Sequence, residues 1–429
     1  MFNTELGRFC AEHENWEELL IAEPYYIKIK QDGLYFIFNY DQIRSDFSLP
    51  IVREARGIIF KEGHWENPVC WAFNKFGNYG ESYVPDINWE TAFVSEKIDG
   101  SLMKVWWDGT WHISTNGTID AFKAELGDIK MPDFGTYFIE TLVNYYNSFG
   151  AFTAGLSEDF TYMFELVGPY NRVVIPYNEP TLYFLGARNK FTGEEVNCSS
   201  LSAGALGMGR FKLPKSYALK SLTDCIAATE KLGWDDEGFV VCDAEFNRVK
   251  VKSPAYVLAH FARNNNVITR RHLIKVILAG ELEEFLCYAA DYKAEILACK
   301  AHMDAYLRLS SQIVKAFREL RVLPRGEYAK LVKTFPKIFQ GLLFFNYDRD
   351  MTIEEYTANW NENKWEACLS DIDKIKDEYF SSIFDKYPME TKGCDGCCNI
   401  AFRYPYASMY PCTHCVRANS KDYYNVHID

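Results

Sequence analysis

The sequence predicts an α+β fold in three successive parts, and three observations carry that prediction. Up to about residue 252, short alternating apolar runs are separated by Asp-Gly and related turns, the pattern of strands and hairpins. After Ser253-Pro254 the apolar residues recur at intervals of three and four, which is the period of helices. Five of the thirteen cysteines then crowd into the last forty residues, a density that a packed core does not require.

The individual elements follow from these patterns. Tyr25–Tyr40 alternates around Asp32-Gly33, and Leu102–Trp107 and Thr110–Thr115 alternate around Asp108-Gly109; both read as hairpins. Phe160–Val167, Leu182–Arg188, Glu237–Cys242 and Arg248–Lys252 read as further strands, with Asn189–Gly193 a turn into another. Helical periodicity marks Phe134–Phe149 and Leu222–Leu232 within this half. Pro254 suits a first helical turn, and Val267–Leu278, Leu282–Leu297 and Met303–Leu320 continue as helices to about residue 385. The stretch Gly204–Gly209 (GALGMG) lacks the strand–glycine loop–helix flanks of a dinucleotide site and reads as a surface loop.

Composition sets the class. The chain has 429 residues, 48% hydrophobic and 24% charged, enough apolar mass for a large core. No run approaches the ~18 apolar residues of a membrane helix, and Met1–Leu20 lacks a basic-then-apolar signal, so the expected location is the cytoplasm. A net charge of −13 argues against general nucleic-acid coating, but the charge is uneven. Phe246–Lys275 carries seven Lys/Arg and no acid, Lys315–Lys337 seven Lys/Arg and two acids, and Asp348–Asp385 eleven acids and four bases. Basic blocks inside an acidic chain indicate a localised anion site or solvated helix faces.

The chemistry centres on Glu96-Lys97-Ile98-Asp99-Gly100-Ser101-Leu102. A lysine in a tight turn becomes a nucleophile when its amine sheds its proton, which needs burial or nearby cations. From a reference pKa of ~10.4, a depression of ~3 units makes the free amine abundant near neutrality. On a strand, Lys250 and Lys252 share a face, as do Glu237, Phe239 and Val241. If the two segments pair as a hairpin, one sheet face presents a carboxylate beside two ammonium groups. Those ammoniums can hold phosphate oxygens and favour the free amine of Lys97. Glu165 and Glu237 can take a ribose hydroxyl or a hydrated Mg²⁺.

In order and spacing these segments resemble the covalent nucleotidyltransferase superfamily of polynucleotide ligases and mRNA capping enzymes. Within it the chain most resembles the ATP-dependent RNA ligase 1 family of tailed bacteriophages. Further support comes from Ala55–Phe60, Asn74–Glu81 and Glu165–Val174, which are similar to the family's arginine motif, its lysine-phenylalanine-asparagine-glycine-glutamate element and its third motif. The resemblance covers about residues 30–260. It implies a β-rich nucleotidyltransferase (ATP-grasp-like ligase) domain over 1–255 and an all-α domain over 256–386 that helps recognise RNA, nicked tRNA above all; the residues from 387 to 429 form a separate cysteine-rich tail. It also implies that Lys97 takes AMP from ATP, with Glu237, Lys250 and Lys252 as catalytic partners and Mg²⁺ on Glu237. Arg56, Lys75, Glu96, Ile98, Asp99, Gly100 and Glu165 would contact the nucleotide together with Lys250 and Lys252. A kinase/phosphatase that heals RNA ends would act in sequence with it, in the host cytoplasm if the chain is phage-encoded. One departure is Asn116, in the turn His112–Thr118, where related ligases tend to carry a basic residue; His112 itself reads as a packed or solvated side chain. DNA ligation, GTP-dependent capping and non-catalytic RNA binding on the same scaffold are the competing expectations.

The tail reads Cys394-Asp395-Gly396-Cys397-Cys398, then Cys412-Thr413-His414-Cys415. Two Cys-x-x-Cys units suit tetrahedral thiolate coordination, so Cys394, Cys397, Cys412 and Cys415 are expected to hold structural zinc, with Cys398 or His414 as substitutes. The resemblance does not account for this tail.

Overall fold

The computed structural model describes residues 2–262, 268–289, 292–349 and 351–372. The chain divides into two compact units, Met1–Asn266 with Glu283–Tyr288, and Val267–Leu282 with Ala289–Asp429. The cysteine tail, with Cys394, Cys397, Cys412 and Cys415, lies outside the described residues.

The first unit opens with helices α1 (Glu5–Glu12) and α2 (Trp16–Ile21), the hairpin β1 (Lys28–Asp32) and β2 (Tyr35–Asn39), then α3 (Pro50–Glu54) and β3 (Arg56–Lys61). Next come β4 (Phe93–Glu96), β5 (Ser101–Trp107), β6 (Trp111–Thr115), α4 (Phe134–Leu142), α5 (Phe149–Thr153), β7 (Phe160–Val167) and β8 (Thr181–Asn189). The unit continues with β9 (Glu195–Asn197), α6 (Ser200–Ala205), β10 (Ser216–Tyr217), α7 (Leu222–Thr229), β11 (Gly238–Cys242), β12 (Arg248–Lys252) and α8 (Pro254–Ala262). The strands form three sheets, ordered β1-β2-β3, β10-β4-β11-β12 and β6-β5-β7-β8-β9.

Both Asp-Gly turns behave as their chemistry requires. Gly33 and Gly109 sit at φ 59° and 74°, where a side chain is strained, and the strands pair antiparallel through Asp32–Tyr35 and Trp107–Trp111. The five-stranded sheet buries Met103, Val105, Tyr162 and Phe164 on one face, against Tyr137 and Phe138 of α4 and Phe152 of α5. Its other face carries Leu102 and Met163 onto Ala72 and Phe73, and Trp106 onto Ile37, Ile59 and Cys70. Glu195 of β9 meets Arg248 of β12 at 2.6 Å and Arg188 of β8 at 3.4 Å, all three buried, which fixes the strand bearing Lys250 and Lys252 against this sheet. Removing one member of such a buried group costs about 3–5 kcal/mol. At the N-terminus the buried Glu54 accepts hydrogen bonds from Leu6 N (2.8 Å) and Glu5 N (3.1 Å), holding the first turn of α1.

Within the first 262 residues two expectations change, and further on the helix expected over Leu282–Leu297 stops at Tyr288 and restarts at Lys293. The helix expected over Phe134–Phe149 breaks into α4 and α5, because the Ser148 side chain accepts from Ala151 N and starts a new helix there. The stretch Gly204–Gly209 is not simply a surface loop: Gly204 lies in α6, and Ala203 and Met208 are buried.

In the second unit α9 (Arg270–Ala279) precedes α10 (Leu282–Tyr288), most of which belongs to the first unit. The rest is α11 (Lys293–Arg318), α12 (Arg325–Val332), α13 (Lys337–Asp348), α14 (Ile353–Thr357) and α15 (Glu362–Ile372). Ile274, Tyr306, Phe317, Phe339 and Trp365 share its core. Arg270 and Arg271 pair with Glu366 and Glu362 between α9 and α15. None of the described helices is long and apolar enough to cross a membrane.

Candidate active site

Pairing in the four-stranded sheet delivers the central side chains. β4 pairs with β11, placing Glu96 opposite Phe239, and the Lys97 amide donates to Gly238 O at 2.8 Å. β12 pairs on the other side of β11, with Lys252 opposite Gly238 and Lys250 opposite Val240. Val94, Phe239, Val241, Val249 and Val251 pack together as one apolar cluster, so the alternate positions Lys250 and Lys252 project from the opposite face. Strict alternation would send Glu237 with Phe239 to the apolar side. Gly238 prevents this. It sits at φ 129°, and a Cβ there would strike the Val251 carbonyl and lie 2.7 Å from Lys252 Cα. The distortion turns the Glu237 carboxylate towards the lysines, with Oε1 2.6 Å from Lys97 Nζ and 3.8 Å from Lys252 Nζ.

Lys97 therefore meets the Glu237 carboxylate first, with the Lys252 ammonium on the same oxygen, which is the expected grouping of a carboxylate with ammonium groups. The Lys250 ammonium lies 5.0 Å from the centre of the Phe76 ring, and its amide donates to Gly77 O. Glu237 is buried, and its Oε2 has no hydrogen-bond partner. Glu165, opposite Leu102 on β7, is pushed up to about 8 by burial. Lys97 and Arg56 oppose that rise, while Glu237 and Asp99 add to it, so these five residues share one electrostatic neighbourhood.

The remaining predicted residues fall into distinct positions. Gly100 presses on β7, since a Cβ there would lie 2.5 Å from Leu166 O. The Asp99 carboxylate is buried and fully engaged by the protein, accepting from Val174 N (2.9 Å), Ile175 N (2.7 Å) and the Tyr256 hydroxyl (2.8 Å). Ile98 is buried. Glu96 faces Lys215, accepting from its amide at 3.2 Å. Arg56 donates to Phe73 O at 3.3 Å and lies over the Phe76 ring. Lys75 is buried over the rings of Tyr40 and Phe47, 3.4 Å from Gln42 Oε1, and none of these contacts ties it to Lys97. Asn116 leaves a buried, unpartnered Oδ1. His112 stacks on Trp106 at 4.2 Å, and burial lowers its pKa, as suits a packed ring.

Two contributors and one buried lysine escaped the sequence reading as individuals. Tyr256 holds Asp99 from α8, and Asn171 Nδ2 donates to Leu166 O (2.6 Å) and Ser101 Oγ (3.0 Å), stapling β7 to the start of β5. Lys104 is a fully buried lysine on β5. No local pattern marks Tyr256, whose partner lies 157 residues away.

A divalent cation fits the carboxylates present. No group of three or more His, Cys, Asp or Glu suited to a metal occurs among the described residues. Mg²⁺, however, keeps several waters and shares substrate phosphates, needing only one or two carboxylates. The unpartnered Oε2 of Glu237 offers such a donor beside Glu165. An amine, two carboxylates and surrounding cations are the groups that transfer of a nucleotidyl group to nitrogen requires.

No family model matches the chain. The chain is 29% identical over 334 residues to a protein of Autographa californica nuclear polyhedrosis virus provisionally named a bifunctional polynucleotide kinase/RNA ligase. That match covers 74% of this chain and 46% of the viral protein, so the chain spans just under half of that relative's length. It is 24% identical over 366 residues to the RNA ligase of Rhodothermus phage RM378, covering 71% of this chain and 82% of the phage protein. RNA ligase 1 of bacteriophage TS2126 is 29% identical over 152 residues, covering 33% and 36%. Among solved structures, an archaeal ATP-dependent RNA ligase aligns over 65% of this chain and 72% of its own, at 14% identity and a TM-score of 0.41. The resemblance to phage RNA ligases carried by the motifs thus reappears in whole-sequence similarity.

Proposed function

We propose that the chain is an ATP-dependent RNA ligase joining RNA 5′-phosphate and 3′-hydroxyl ends. The observation that carries the reading is the convergence of Lys97, Glu237 and Lys252, with Glu165 and Arg56 in the same field. Lys97 Nζ attacks the α-phosphorus of ATP; an N–P bond forms, the P–O bond to pyrophosphate breaks, and pyrophosphate leaves. Glu237, in contact with that amine, is placed to receive its proton. Lys250 and Lys252 hold the α-phosphate, Arg56 and Lys75 the triphosphate, and Glu165 the ribose. Ile98, Asp99 and Gly100 shape the loop, and Glu96 borders the nucleotide. An RNA 5′-phosphate oxygen then attacks the adenylyl phosphorus, breaking the N–P bond and returning the amine. A 3′-hydroxyl next attacks the activated 5′-phosphorus, sealing the strand and releasing AMP. Bound at Glu237, Mg²⁺ would supply charge neutralisation at the phosphates.

The same proposal assigns 1–255 to nucleotidyl transfer, 256–386 to RNA recognition, nicked tRNA foremost, and 387–429 to a zinc-held tail through Cys394, Cys397, Cys412 and Cys415. The setting is cytoplasmic, and an end-healing kinase/phosphatase prepares the termini.

Incubation with each labelled NTP and Mg²⁺ tests the central claim. ATP should leave an acid-labile label on the protein that Lys97→Ala abolishes, and the label should pass to 5′-phosphorylated RNA. Labelling by GTP, transfer to DNA alone, or no labelling would overturn the assignment. Metal analysis of the full chain should find about one zinc per chain.

A further inference from the structure

Lys104 has no part in the chemistry above, yet its position is costly. It is buried, at 0% exposure, and its Nζ donates to the carbonyl of Gly57. No carboxylate pairs with it among the described residues, and burial, reinforced by Arg56, lowers its pKa. An ammonium buried without a counter-ion destabilises the fold, a penalty that Met or Leu at this core position would not incur.

What Lys104 holds is the peptide that follows Arg56. Gly57 sits at φ 72°, and a Cβ there would lie 2.5 Å from Asn116 O, 2.8 Å from Asn116 Oδ1 and 2.9 Å from Lys104 Nζ. The peptide is thus gripped by β5 from one side and by the turn after β6 from the other. That Asn116 Oδ1 is buried without a hydrogen-bond partner. Lys104 also lies on the sheet face of Glu165, because Leu102 pairs with Glu165 and Lys104 follows two residues later, about 7 Å along the strand.

We propose that Lys104 is a positioning residue for the nucleotide-charging step, acting through the Gly57 carbonyl to aim Arg56 at the triphosphate of ATP. The proposal rests on the ligase reading above. Because pyrophosphate leaves after the first step, the influence of Lys104 is confined to that step. Lys104→Met keeps the volume and removes the donor.

In the full chain, this variant should raise the ATP concentration for half-maximal labelling at least tenfold, while sealing of pre-adenylylated RNA stays within about twofold of wild type. Asn116→Lys added to Lys104→Met brings an amine to Gly57 from the turn on its other side and should recover half-saturation to within about threefold. Equal losses in both steps, no loss in either, or a folded double variant whose charging defect persists would overturn the proposal. Should Lys104→Met alone fail to fold, the double variant becomes the test by the same criteria. Wild-type protein that ATP does not label would sink the ligase reading and this inference with it. A labelled wild type with an unaffected variant would sink the inference alone.

Discussion

Gly238 decides where the carboxylate of Glu237 points. A period-2 reading of Glu237–Cys242 puts Glu237 on the face of Phe239, and the sequence offers no sign that one glycine reverses it. The type of each residue was legible; the break in parity was not, because it depends on β12 lying close enough that a Cβ would strike the Val251 carbonyl. Gly238→Ala should therefore act twice. Strain at a positive φ with a backbone clash should destabilise the protein by about 1–3 kcal/mol. The displaced carboxylate should also lower the rate of lysyl–AMP formation at least tenfold at saturating ATP. Thermal melting and single-turnover labelling measure the two effects separately. A stable variant that charges at the wild-type rate would show that parity does not govern the site.

At the scale of elements, local pattern and distant pairing divide what the sequence reveals. The hairpins β1–β2 and β5–β6 were readable because alternation and an Asp-Gly turn lie within one short window. The insertion of β4 between β10 and β11 was not, since it joins segments more than a hundred residues apart. Helix α8 is similar: Pro254 announces its start, but not that Tyr256 reaches Asp99 at 2.8 Å. That bond anchors the loop after Lys97 from a helix, while Val174 N and Ile175 N anchor it from the segment after β7. A hydrogen bond to a charged acceptor contributes about 1.5–3 kcal/mol. Tyr256→Phe should thus reduce the charging rate about tenfold with the ATP half-saturation nearly unchanged, because the loop is misplaced but the nucleotide contacts remain. A raised half-saturation at a normal rate would instead make Tyr256 part of the nucleotide pocket.

For the whole molecule, the buried carboxylates set how stability varies with pH. Burial pushes Glu54 up to about 7 despite its bonds from Leu6 N and Glu5 N, and pushes Glu165 up to about 8. A carboxyl whose folded-state pKa lies above its ordinary value of 4.5 favours folding fully below that value, and the contribution is lost as pH rises through the folded pKa. Asp41 and Asp108 are shifted the other way, Asp41 by backbone hydrogen bonds and Lys28 and Asp108 by Lys61, each overcoming desolvation, so their contribution is full above their ordinary 3.8 and is lost only as pH falls below it. Between pH 5 and 8 the two glutamates therefore act together, opposed only up to pH 6.5 by His112, whose pKa burial holds below that ordinary value. Stability should decline across that window by a few kcal/mol, because each tenfold change in proton affinity on folding is worth about 1.4 kcal/mol. Urea midpoints should fall steadily from pH 5 to 8. Glu54→Gln should remove the part lost up to about pH 7, and Glu165→Gln should also flatten the part between 7 and 8. The proposed ribose contact would then be charged at a cost to the fold, since the carboxylate form of Glu165 is the one its burial opposes. A wild-type midpoint that rises over this range, or a Glu165→Gln profile parallel to wild type, would refute that coupling.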